Sequence, residues 1–258
     1  MLTFLLIFMT QLTTAQAAVT TKTIEYHQGD TTLEGYVAYD DAIAAPKPGV
    51  LIVPDWMGPG PFAFQKAEQL AKEGYVGFVV DVYGKGVRPK DGAEAGKLAG
   101  LFKGDRPLLR ARMRAALDTL TAMKQVNTKK VLVMGYCFGG TAALELARSG
   151  APLAGVASFH GGLSSPSPQD ARNIKAPVLA MHGADDPFVP APEVQAFKDE
   201  MKSAGVDLKF IAYAGAVHSF TNPAAGTDNK KGAAYNASAD KESWKAFEEF
   251  VGRVFGKK

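Results

Sequence analysis

Cysteine is nearly absent: the 258 residues contain one, Cys137. A single thiol excludes an internal disulfide framework and any multi-cysteine metal site. Strong charge is missing too. The formal net charge is +3, and no run of Lys or Arg exceeds two residues. That balance gives no electrostatic footprint for nucleic acid. No internal repeat and no long Pro- or Ser-rich linker divides the chain. No apolar run is long enough to span a bilayer. With 47% apolar and 21% charged residues the chain has the profile of a globular protein, which excludes disorder, a collagen-like repeat and a coiled coil. Cys137 is thus either a small buried hydrophobe or a nucleophile.

The apolar stretch Leu2 to Met9 leads through polar residues to Ala15-Gln16-Ala17, a small-x-small site suited to signal peptidase. Residues 1–17 are therefore expected to be a secretory leader, although no Lys or Arg precedes the apolar run. Export would place residues 18–258 in the periplasm or outside the cell, as one domain with no stable membrane anchor. An unpaired cysteine in an oxidising compartment needs burial or a role.

What remains alternates short apolar runs with helical stripes. Thr23 to Gln28 and Thr32 to Tyr39 flank Gly29-Asp30-Thr31 and read as an antiparallel hairpin. Gly49 to Pro54, Tyr75 to Asp81, Val131 to Met134, Leu153 to Phe159, Pro177 to Met181 and Leu208 to Tyr213 read as buried strands. Apolar residues at helical spacing lie between them, with Trp244, Phe247, Val251 and Val254 closing the chain. The expected fold is one α/β domain: a mostly parallel sheet, an N-terminal antiparallel hairpin, and helices on both faces. Ligands in such sheets bind beyond the carboxyl ends of the strands.

One of those ends reads Gly135-Tyr136-Cys137-Phe138-Gly139-Gly140, between a strand and a helix. This is the cysteine form of the G-x-S-x-G elbow. The nucleophile occupies a tight strand-to-helix turn, so side chains two positions either side must vanish. The thiol would project near a helix N-terminus, whose dipole favours thiolate. The Phe138 N–H would give half of an oxyanion hole. The alternative is a glycine-rich turn that merely contains a cysteine. No G-x-S-x-G occurs at a strand end, so a serine esterase is not a rival.

A thiol nucleophile needs a base, and the base an orienter. Of four histidines, His27 lies in the first hairpin. His182 ends a strand and is expected to be packed and hydrogen-bonded. His160, in Phe159-His160-Gly161-Gly162, is a reserve base. His218, in a small-residue loop late in the chain, is the best one. The acid should fall between Cys137 and His218, where Asp185 and Asp186 both qualify. Trp56, Met57, Phe62, Tyr83 and Phe138 would wall the thiol, with core packing the alternative for Phe62. The glycine-rich segment from Gly84 to Arg106 reads as a rim of the site or a solvated crossover. Asn222 to Ala239 reads as plain surface loop.

Together with Asp186-Pro187-Phe188-Val189-Pro190, Ala216-Val217-His218-Ser219-Phe220 and Asp81-Val82-Tyr83-Gly84, the elbow resembles the dienelactone hydrolase family of α/β-hydrolases. The resemblance runs from about Gly49 to the C-terminus. It implies a Cys137-His218-Asp186 triad, so Asp186 rather than Asp185. It implies hydrolysis of small-molecule lactones or activated esters, without metal or cofactor, and a second oxyanion donor at the Trp56 N–H. The family's glutamate beside the thiol is replaced by Asp55, one methylene shorter. Its substrate-binding arginines are replaced by Lys85 and by Thr221-Asn222, which argues against a strongly anionic substrate. A monomer is expected. The rival from another class is an exported binding or redox protein that retains the fold without catalysis.

Overall fold

The structure is a computed structural model that describes residues 19–42 and 45–256. The expected leader lies outside them. No helix among the described residues is long and apolar enough to cross a membrane.

Eight strands form one sheet in the order β1-β2-β4-β3-β5-β6-β7-β8. The strands are β1 Val19–Gln28, β2 Thr31–Asp40, β3 Lys47–Val53, β4 Val76–Val79, β5 Val126–Tyr136, β6 Gly155–Phe159, β7 Val178–Gly183 and β8 Leu208–Tyr213. β1 and β2 form the expected hairpin, turning at Gly29 with φ 55. β2 also runs antiparallel to β4, and every other neighbouring pair is parallel. The continuous apolar runs have a simple cause. β4 and β6 are buried along their whole length because helices cover both faces.

The helices are α1 Pro61–Lys72, α2 Gly92–Gly104, α3 Arg106–Thr121, α4 Phe138–Arg148, α5 Ala191–Ser203 and α6 Ala237–Phe255. Residues of α1 and α6 pack one face of the sheet into a core with Tyr136, Phe159 and Phe247. Residues of α3, α4 and α5 pack the other, around Leu109, Leu144 and Phe197. The helix starts follow their sequence signals. Asp91 caps α2 by accepting from the Ala93 and Glu94 N–H groups, and Asp105 caps α3 through Leu108.

After β3 the chain moves outward to β4. It then returns through α2 and α3 to β5, on the opposite side of β3. The strand order therefore reverses between β3 and β5, and a crevice opens beyond their carboxyl ends. Val53 of β3 pairs with Gly135 of β5, so Trp56 and Cys137 emerge side by side.

Candidate active site

Cys137 occupies the elbow between β5 and α4 with φ 54, a rare conformation for a residue other than glycine. The glycines around it leave no room for anything larger. A Cβ on Gly135 would lie 2.0 Å from the Gly139 carbonyl oxygen, and one on Gly139 would lie 2.1 Å from that of Val53. The close approach of Gly139 seats the first turn of α4 against the end of β3. It brings the Trp56 loop beside Phe138. The N–H groups of Phe138 and Trp56 have no acceptor among the described hydrogen bonds. Tyr83 ties the two together, since its hydroxyl donates to the Trp56 carbonyl at 2.8 Å and its ring stacks on Phe138.

The candidate base, His218, arrives from the loop after β8. His218 Nε2 lies 2.9 Å from Cys137 Sγ, and its Nδ1 lies 2.8 Å from Asp186 Oδ2. The other Asp186 oxygen accepts from the Phe188 N–H at 2.8 Å. Asp186 is buried, whereas Asp185 faces solvent. The two loops are held together at Gly183, where a Cβ would meet the Val217 carbonyl at 2.6 Å. Burial opposes charge on His218, but its hydrogen bonds to Asp186 and Cys137 outweigh it and push the imidazole up to about 10. At neutral pH His218 is therefore an imidazolium that donates to both partners.

The other histidines have different places. His27 sits in β1, near the Thr32 hydroxyl. His182 packs against Phe210, and its Nδ1 is buried without a protein partner, so only the packing half of its expected role holds. His160 is fully buried behind the elbow and does not reach the thiol as a base. Its Nδ1 accepts from the Cys137 N–H, and its Nε2 faces Thr221.

A cavity of about 450 Å³ opens on the thiol, lined among others by Trp56, Lys103, Phe138, Phe188, Lys231 and Ala233. Phe188 meets His218 edge to face at 5.5 Å. Lys103 comes from α2, whose Gly92 and Gly96 pass beside the Trp56 indole, so the glycine-rich segment does form a rim. Lys231 and Ala233 come from the stretch expected to be plain surface. That stretch is instead bonded to His218, whose N–H donates to the Gly232 carbonyl and whose carbonyl accepts from the Ala234 N–H.

All four expected substrate contacts, Asp55, Met57, Tyr83 and Lys85, lie off the cavity. Lys85 pairs with Glu25 on β1, since its backbone N–H is held by Thr32 at the far side of the Tyr83 turn. It does not line the cavity. Met57 is exposed and borders a separate shallow depression with Asp55, Phe62 and Asn222. Tyr83 is a buried brace rather than a lining residue. Phe62 packs on Tyr136, its core alternative. Asp55 accepts from the Met57 N–H at 2.8 Å, and burial raises its carboxyl above the ordinary range despite that bond and the charge of His218. Phe188, Lys103 and Lys231 escaped the sequence reading. Only Phe188, two residues beyond Asp186, carried a local signal. Among the described residues no group of His, Cys, Asp or Glu could hold a metal ion.

The sequence profile of the dienelactone hydrolase family matches residues 33–255. Protein usf of Aquifex pyrophilus is 31% identical over 206 residues, spanning 77% of this chain and 86% of that protein. A solved structure described as m3DLH superposes with a TM-score of 0.88 at 38% identity, over 92% of this chain and 99% of that one. A dienelactone hydrolase-like promiscuous phosphotriesterase from metagenomic libraries superposes with a TM-score of 0.87 at 37% identity, with the same coverage.

Proposed function

Because the chain belongs to the dienelactone hydrolase family, and is thereby a hydrolase of ester or lactone bonds, we propose that it works through a Cys137-His218-Asp186 triad and a thioester intermediate. The observation that carries this reading is the unbroken array from Sγ through the imidazole to the buried carboxylate, at 2.9 and 2.8 Å. In the first step the Cys137 thiolate attacks the carbonyl carbon. The carbonyl electron pair moves onto oxygen, where the N–H groups of Phe138 and Trp56 receive it. The carbon–oxygen ester bond then breaks. The leaving alcohol takes the Nε2 proton of His218, which leaves a neutral imidazole. That imidazole next takes a proton from water, whose oxygen attacks the thioester and releases the acid and the thiolate. In a lactone the alcohol stays tethered to the acyl group. Asp186 holds the ring in place through Nδ1 throughout.

The test is turnover of 4-nitrophenyl acetate by the Cys137→Ala variant, with intact-mass detection of an acylated Cys137 in the native chain. Turnover should vanish in the variant, and wild-type activity there would refute the triad. A non-catalytic binder would be alkylated by iodoacetamide and hydrolyse no ester or lactone in a broad panel. Residues 1–17 are proposed as an export leader. N-terminal sequencing of protein recovered from the producing cell should begin at Ala18, and an intact Met1 in exported material would overturn this.

A second reading is favoured by the metagenomic neighbour. The same thiolate could attack a phosphotriester, forming a sulfur–phosphorus bond as an aryloxide leaves. Release of 4-nitrophenol from an aryl dialkyl phosphate beyond one equivalent per Cys137 supports it, and a single stoichiometric burst rejects it.

A further inference from the structure

His160 moves no proton in the reaction, yet it touches both halves of the triad. It follows β6 with φ 41, a conformation rare for a residue other than glycine that persists only where its surroundings fix it. Its imidazole is 2% exposed. Nδ1 accepts from the Cys137 N–H at 3.2 Å, an N–H that is shared with the Phe159 carbonyl at 3.0 Å. An Nδ1 that accepts leaves the ring proton on Nε2. Nε2 therefore donates to Thr221 Oγ1, 2.8 Å away. Thr221 is itself 2% exposed and stands three residues beyond His218, on the loop that carries the base.

We infer that His160, with Thr221 as its anchor, is a positioning residue that clamps the nucleophile elbow to the histidine loop and so holds Cys137 Sγ within reach of His218. Cys137 and His218 are 81 positions apart in sequence, and both need help to stay put. The elbow is strained at Cys137, and the loop has a second positive φ at Ser219. The Phe159 carbonyl could satisfy the Cys137 N–H alone. What histidine adds is a donor on the opposite edge of the same rigid ring, one that reaches the other loop. Protonation would turn Nδ1 into a donor facing the Cys137 N–H and break the clamp. Burial, and then the neighbouring charge of His218, keep His160 well below the ordinary histidine range. The groups packed on the ring fit this state: His218 edge-on at 5.3 Å, Phe220 at 5.1 Å and Tyr136 at 6.0 Å.

The inference rests on the triad reading, so its test needs a readout that requires no substrate. Cys137 alkylation by iodoacetamide supplies it, read beside kcat and KM for 4-nitrophenyl acetate and a thermal melt. Thr221→Val removes the acceptor while keeping the shape. Thr221→Ser keeps the acceptor. His160→Asn keeps a short acceptor for the Cys137 N–H but cannot reach Thr221. Thr221→Val and His160→Asn should slow alkylation and lower kcat about tenfold while KM stays within about twofold, the cost of a slightly misplaced reacting pair. Thr221→Ser should restore both. Wild-type alkylation in Thr221→Val and His160→Asn would overturn the clamp, as would a Thr221→Ser variant as slow as Thr221→Val. Were the chain to hydrolyse no ester at all, the alkylation ratios would still decide it.

Discussion

The elbow and the rim surround the same thiol and are built on opposite principles. At the elbow, backbone meets backbone. Gly135 and Gly139, like Gly183 where the Asp186 and His218 loops meet, sit where a single Cβ would lie within 2.0 to 2.6 Å of a main-chain oxygen. At the rim, side chains face water. Trp56 is 40% exposed and Phe188 60%, and Lys103 and Lys231 have no ion partner among the described residues. Close packing makes the elbow intolerant of one added carbon, while solvation leaves the rim free to vary. Reaction type is thus set by the part that cannot change, and substrate choice by the part that can.

Gly139→Ala attacks the elbow where the contrast is sharpest. Its methyl would meet the carbonyls of both Val53 and Pro54, at 2.1 and 2.5 Å. Neither is the end of a flexible side chain, so β3 and α4 must separate. Folding stability should fall by about 3 kcal/mol or more, with hydrolysis lost alongside, read from the shift of the urea midpoint. Wild-type stability in the Gly139→Ala variant would remove the distinction between the two regions.

Asp186→Asn leaves the packing intact and tests the electrostatics. Asparagine offers a donor to a ring nitrogen that also donates, and it no longer holds the Nδ1 proton. kcat should fall by about 10³-fold or more, as when a triad acid becomes an amide. The pH dependence follows from the sign of the shift. The His218 imidazole is held up at about 10, so it carries its proton below that pH. Alkyl esters need that proton on their leaving group. Their kcat/KM should decline as pH rises through about 10 in the native chain. Without the Asp186 bond, which raises the imidazole, the decline should begin at lower pH. An unmoved alkaline limb would separate His218 from Asp186 and break the array.

The same division explains what the sequence disclosed. The elbow is a local rule: glycine two residues either side of the nucleophile, strand before and helix after, all within Gly135 to Gly140. The buried strands were legible for a similar reason, because coverage on both faces makes β4 and β6 apolar without interruption. Their ends moved by a few residues, where hydrogen-bonding decides and composition does not. Lys231 was invisible because its place on the cavity depends on Gly232 taking φ 78 and bonding the His218 N–H, a contact between loops. Lys85 points elsewhere because position after a motif does not fix direction. The Tyr83 turn is set by Asp81, which accepts from the Tyr83 and Gly84 N–H groups, and the chain leaves it toward Glu25.

Phe188→Ala probes the rim and should have the smallest effect. Its N–H serves Asp186, but that bond is backbone and survives truncation. Its ring meets His218 edge to face and lines the cavity, yet most of it is in water. Little apolar area is lost from the folded core, so stability should change by no more than about 0.5 kcal/mol. Bound ester would lose one wall. KM for aryl esters should rise several-fold, about what the loss of an apolar contact of 1 kcal/mol produces, while kcat holds. A fall in kcat at constant KM would mean that Phe188 orients His218 rather than the substrate. The rim would then share in the chemistry, and the line between the two regions would have to be drawn outside Phe188.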